Sequence, residues 1–279
     1  MTAVLDGHVH LWDRARHPQA WIDPIAMAPI DRDFGAADLA AMLTATGSDA
    51  AVLVQSTNSL AETADLLALA AHAPVAAVVG WLDLTGDVAA QAAVLRDGEG
   101  GVLLRGVRHL AHLDPDPAWL DRPDVRRGLE ALPGLGITVD LVVRSEQLPL
   151  AAEVVRDHPA VRFVLDHLGN PPFGGLDEWR RALHSVGAQP NAMAKLSGLI
   201  TGVGEGWIVD DLLPVVDAAF GAFGPDRLLY GSDWPVVELA EGGAVAWADA
   251  TRAIVGTLSS SERDAVLGGT CARVYGVRA

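Results

Sequence analysis

Short runs of Val, Leu, Ile and Ala recur along the chain at residues 4–12, 51–56, 75–84, 102–110, 137–143, 162–168, 192–199 and 228–234. Between them lie Ala- and Leu-rich stretches with apolar residues at helical spacing, at 37–46, 60–72, 88–96, 123–132, 146–157, 176–187 and 212–223. The punctuation agrees: Gly47 follows the first such stretch and His158-Pro159 the fifth. Eight strand-helix alternations in a little over 250 residues point to a (β/α)8 barrel. A doubly wound open sheet is the alternative, but it calls for a glycine fingerprint after the first strand, and GHVHLWD is not one. Nothing resembles a linker or a repeat, so residues 1–279 are expected to form a single barrel domain. Residues 259–275 read as a terminal helix that closes or covers the barrel.

Composition narrows the function. Half of the residues are hydrophobic and 20% charged, which suits a globular chain and excludes disorder or a rod. Asp and Glu number 36 against 20 Lys and Arg, a formal charge of -16. That balance repels phosphate backbones and anionic lipid, so neither nucleic acid nor a membrane is an expected partner. The apolar stretch 66–82 is interrupted by His72, Pro74 and Gly80 and reads as a helix end, a turn and a buried strand rather than a span. Cys271 is the sole cysteine, no signal peptide is expected over residues 1–6, and the cytoplasm is the expected compartment. The oligomeric state is not legible.

Barrel chemistry collects at the C-terminal ends of the strands. The first strand ends in Asp6-Gly7-His8-Val9-His10, and residues two apart share a face, about 6–7 Å apart. His8 and His10 can therefore converge on one metal or one substrate oxygen. Later ends supply Gln55 and Ser56, Trp81, Arg108 or His109, Asp140, His167, Lys195 with Ser197, and Asp233 with Trp234. Alternation allows only one of Arg108 and His109 to face the axis. Lys195 is the only lysine in the chain, and it lies in an expected strand. Gln55 or Ser197 alone could simply satisfy backbone groups; polar groups at seven strand ends are harder to explain that way. His17, His72, His112, His158 and His184 fall in expected loops or helices, as solvated or capping residues.

The segments DGHVHLWD, VVGWLDL, GVRHL, VLDHLGNPP, KLSGL and FGPDRLLYGSDWPV together resemble the amidohydrolase superfamily, and within it the sugar-lactonase branch. The resemblance runs from Asp6 to about Tyr275 and implies a (β/α)8 barrel that hydrolyses a cyclic ester. The binuclear members of that superfamily use a carboxylated lysine on strand four and a histidine on strand five. Here those ends carry Arg108 with His109, and Asp140, so a lysine-bridged dinuclear site is excluded. What remains is His8, His10, His167 and Asp233, as in the lactonase branch.

From these groups, Asp233 is expected to act as general base on water, with His8, His10 and His167 stabilising the oxyanion beside Arg108 or Lys195. No metal is expected to be required; one zinc or another divalent ion is compatible, held by His8, His10 and Asp233. Expected substrate contacts are Trp12, Gln55, Trp81, Arg108, His109, Asp140, Lys195 and Trp234. With Trp21 and Trp207, the tryptophans favour the faces of a neutral sugar lactone over a pyrone dicarboxylate, which calls for several converging cations, for which only Arg108, Lys195 and Arg144 are candidates. The rival readings are a metal-dependent decarboxylase or other hydrolase of the same superfamily, and a non-catalytic sugar-binding barrel.

Overall fold

The structure is a computed structural model, and it describes residues 3–278. Eight parallel strands pair in sequence order: β1 (Leu5–Val9), β2 (Ala50–Val54), β3 (Val75–Gly80), β4 (Leu104–His109), β5 (Thr138–Leu141), β6 (Phe163–Leu165), β7 (Ala192–Leu196) and β8 (Leu228–Tyr230). A bridge between Val9 and Trp234 joins the last strand's extension to the first. The expected (β/α)8 barrel is thus present. Its outer ring is α1 (Ala36–Thr46), α2 (Leu60–Ala70), α3 (Val88–Asp97), α4 (Pro123–Leu135), α5 (Leu148–Asp157), α6 (Leu176–Gly187), the short α7 (Ile200–Val203), α8 (Val209–Phe223) and α9 (Gly243–Val255). Caps follow local chemistry. Gly47 takes the left-handed conformation that ends α1 (φ 65°), and the Ser59 hydroxyl accepts from the Glu62 amide at the start of α2.

Strand alternation sorts the side chains into two cores. Leu53, Val139, Phe163, Leu165 and Leu196 point outward and pack beneath the helices. Leu5, Val52, Val54, Ala77, Val79, Val164, Met193 and Leu229 fill the barrel's interior. The chain ends in α10 (Ser260–Asp264), a π turn and α11 (Thr270–Tyr275), which contributes Cys271, Ala272, Val274 and Tyr275 to that inner core. The terminal helix therefore plugs the barrel floor. Close contact there demands glycine: a Cβ on Gly268 would stand 2.0 Å from the carbonyl oxygen of Ala3. Among the described residues, no helix is long and apolar enough to cross a membrane.

All eight strands are shorter than their apolar runs suggest, β6 and β8 most tellingly. β6 stops at Leu165 and β8 at Tyr230, because the residues that follow turn sharply to carry polar groups inward.

Candidate active site

His8 and His10 leave β1 on the same side, helped by a register shift between Asp6 and Val9. Their Nε2 atoms lie 3.1 Å apart. The Nδ1 of His10 is 2.7 Å from the carbonyl oxygen of Val54, which can only accept. Nδ1 therefore carries the proton, and the Nε2 lone pair faces the site. Asp233 enters from beyond β8 with a left-handed backbone (φ 63°), its amide donating to the carbonyl of His8 at 2.8 Å. Its Oδ1 stands 3.5 Å from the Nε2 of both His8 and His10. Beyond β6, His167, Leu168 and Asn170 are also left-handed, with φ of 52°, 51° and 53°. That turn lets two consecutive residues face inward. Asp166 comes within 3.4 Å of His8 Nδ1, and His167 Nε2 within 3.9 Å of Asp233 Oδ1. Positive φ in four bulky or polar residues around one site is backbone strain held by its surroundings. The Asn170 side chain donates to the Val143 carbonyl (2.8 Å), and the Trp179 indole donates to that of Leu168 (2.9 Å). Gly198 completes the fit, since a Cβ there would lie 2.6 Å from His167 Nδ1.

Beneath this cluster lies a buried ionic layer. Lys195 Nζ donates to Asp140 at 2.5 Å and to His8 Nδ1 at 3.1 Å, and it stands 2.9 Å from Asp166 Oδ1. Arg108 donates to Asp166 at 3.0 Å and to the backbone and side-chain oxygens of Gln55 at 2.5 and 3.2 Å. Burial alone would raise the Asp166 carboxyl, yet Lys195, His8 and Arg108 together hold it well below its usual range. Burial opposes the charge on Lys195, but Asp140 and Asp166 outweigh it and raise its pKa. His8 is held well below the usual imidazole value by burial and by Lys195, and His167 is lowered by burial. Both are neutral at pH 7. His8 thus sits between two cations that can only donate, Lys195 facing its Nδ1 at 3.1 Å and Arg108 facing its Nε2 at 3.3 Å.

His8 Nε2, His10 Nε2 and Asp233 Oδ1 form a triangle with sides of 3.1, 3.5 and 3.5 Å. A tetrahedral zinc with bonds of about 2.0–2.1 Å separates its ligands by about 3.3–3.4 Å. The donor set fits one zinc ion. A cavity of about 480 Å³ opens above, with His10, Arg108, His167 and Asp233 in its lining and Trp21, Met27, His112, Arg144 and Asn170 among its other residues.

The expected substrate contacts fare unevenly. Arg108 lines the cavity; Gln55, Asp140 and Lys195 are buried in the ionic layer, outside the cavity lining. His109 faces away from the axis, stacked on Trp119 with centroids 3.5 Å apart, accepting from Trp81 Nε1 (3.2 Å) and donating to Asp114 (2.9 Å). Trp12 and Trp234 pack edge-on against Phe34 at 5.5 and 5.0 Å. The Trp207 indole donates to the Glu241 carbonyl, outside the cavity. Trp12, Trp81, His109 and Trp234 are thus framework, and Trp21 is the tryptophan that lines the cavity. Two residues escaped the sequence reading. Asp166 was masked by strand alternation, which admits only one of Asp166 and His167. His112 was assigned to solvent, yet it lines the cavity.

A (β/α)8 barrel with paired histidines on its first strand, an Asp-His pair after the sixth and an aspartate after the eighth defines an enzyme of the amidohydrolase class. The chain belongs to the amidohydrolase family, whose profile matches residues 5–277. The relatives agree with the resemblance read from the motifs. An L-fucono-1,5-lactonase of Burkholderia multivorans is 36% identical over 286 residues, covering 97% of this chain and 95% of that protein. One of Burkholderia ambifaria is 36% identical over 245 residues, covering 86% and 83%. A crystal structure of a Burkholderia multivorans amidohydrolase with bound zinc matches with a TM-score of 0.90 and 36% identity, covering 99% of this chain and 100% of that one.

Proposed function

We propose that this protein hydrolyses a neutral sugar lactone of the L-fucono-1,5-lactone kind, with Asp233 as general base. The observation that carries the reading is the convergence of Asp233 with three histidines: His10 and His167 line the cavity beside it, and His8 is buried behind them. Burial lowers the pKa of His8 and His167. The relatives named L-fucono-1,5-lactonase supply the substrate class. The charges support it. Arg108 is engaged by Asp166 and Gln55, and Arg144 lies 3.5 Å from Glu146, so both cavity arginines already have acidic partners. A dicarboxylate calls for cations without such partners.

In this reading Asp233 takes a proton from a water as the water oxygen adds to the lactone carbonyl carbon. Negative charge builds on the carbonyl oxygen, where the neutral His167, hydrogen-bonded through Nδ1 to Ser197 at 2.8 Å, donates from Nε2. The tetrahedral centre then collapses and the bond to the ring oxygen breaks. The proton held by Asp233 passes to that leaving oxygen, giving an open hydroxy acid. The residues His8, His10 and Asp233 would hold a zinc ion, which when bound polarises a carbonyl and acidifies water. The test is acid release from L-fucono-1,5-lactone and from 2-pyrone-4,6-dicarboxylate, followed with a pH indicator with and without a chelator. Clear preference for the sugar lactone is expected. Preference for the dicarboxylate, or carbon dioxide release from aromatic acids with no lactone turnover, overturns the reading.

A further inference from the structure

The turn after β4 is braced beyond the needs of a surface loop. The Asn58 side-chain oxygen accepts from the Leu110 amide at 3.0 Å, and Gln147 donates to the carbonyls of Ala111 and Pro117 at 3.3 and 3.2 Å. His109 clamps the far side through Asp114 and the Trp119 stack. What this bracket presents to the cavity is His112. Its Nδ1 is buried and has no hydrogen-bond partner among the described residues. Of the two ring nitrogens, Nε2 is therefore the one left for a group in the cavity.

We propose that His112 is a specificity-determining residue, which reads a ring hydroxyl of a neutral polyhydroxy lactone from the β4 wall of the cavity. This rests on the lactonase reading of the same site. Burial, with Arg108 and His167 close by, pushes the His112 pKa down to about 4, so the imidazole is neutral at pH 7. In a neutral imidazole Nε2 either donates or accepts, according to the tautomer, and a hydroxyl answers in both cases. A carboxylate, which only accepts, answers one tautomer alone. A ring without hydroxyls would leave Nε2 unmet. The neighbouring Arg144 and Glu146 carry opposite charges 3.5 Å apart and add little net field to draw an ionic group.

The experiment compares kcat/KM for L-fucono-1,5-lactone with that for δ-valerolactone, a six-membered lactone lacking hydroxyls. In His112→Phe the ratio of the two is expected to fall about 10–30-fold, carried by KM for the sugar lactone, as fits one lost buried hydrogen-bonding group. His112→Gln, which keeps a donor and an acceptor, restores most of it and guards against a folding defect. An unchanged ratio, or an equal loss on both lactones, overturns the assignment. If the unmodified enzyme opens neither lactone, the lactonase reading fails separately, and calorimetry with L-fucose then tests His112. Binding at least tenfold weaker in His112→Phe supports the proposal. Equal binding, or none to the unmodified protein, overturns it.

Discussion

The two ends of the barrel use the same eight strands for opposite purposes. At the floor, Leu5, Val52, Val54, Ala77, Val79 and Leu229 meet Cys271, Ala272 and Val274 of the terminal helix in an apolar plug. At the mouth, His8, His10, Arg108, Asp166, His167 and Asp233 crowd together, all buried, and His167, Leu168, Asn170 and Asp233 sit in left-handed backbone. Apolar packing at the floor stabilises the native state at roughly 25 cal/mol per Å². Buried charges and strained turns at the mouth are there in spite of stability. The two layers join at Lys195 and Asp140, where the Tyr275 hydroxyl rises from the terminal helix to donate to both Asp140 oxygens (3.0 and 2.8 Å). One end holds the fold so that the other can do chemistry.

If that division is right, the largest effect should be purely catalytic. Asp233→Asn removes the base while keeping size, and turnover should fall about 10²–10⁴-fold with little loss in thermal stability. A variant that unfolds instead would make Asp233 part of the framework. Lys195→Met strikes the junction and leaves Asp140 and Asp166 buried without their shared cation. Denaturant unfolding should show a loss of about 3–5 kcal/mol, partly recovered by adding Asp140→Asn; a loss under 1 kcal/mol would mean that Arg108 alone compensates Asp166.

Smaller effects sharpen the boundary. Tyr275→Phe deletes a hydroxyl bound to a buried carboxylate and should cost about 1.5–3 kcal/mol, with turnover changed only a few-fold. A turnover collapse would place the floor within the site. The smallest effect belongs to His112 and pH. Unfolded, its imidazole binds a proton below about pH 6.5; folded, burial delays this until about pH 4. Falling pH therefore draws the protein toward the unfolded state across that window. The unfolding temperature of His112→Gln should drop less between pH 6.5 and 4.5 than that of the unmodified protein, and parallel curves would show that His112 is not neutralised by burial.

Most of the barrel was legible because its signals are local. Each apolar run became a strand, each Ala- and Leu-rich stretch a helix, and Gly47 ended α1 where expected. The central site was legible too, since His8, His10, His167 and Asp233 follow from strand ends and motif resemblance. The substrate wall was less so. Trp12, Trp81 and Trp234 were placed at the mouth by position alone, yet indole rings so near a barrel rim can equally brace the loops, as the Phe34 cluster and the His109 contact do.

What the sequence determined by itself is whatever depends on period and order: eight strands, their parallel sequence, and which residues stand at their ends. What only the tertiary structure decided depends on backbone handedness and on partners far apart in the chain. The left-handed turn at His167 overrides alternation and brings Asp166 inward beside its neighbour. The partners of His8 come from Lys195, 187 positions away, and from Arg108, 100 positions away. Whether a histidine such as His112 meets solvent or a cavity depends on loops that close over it from elsewhere in the barrel, and no local pattern encodes that, because burial is a property of the assembled fold.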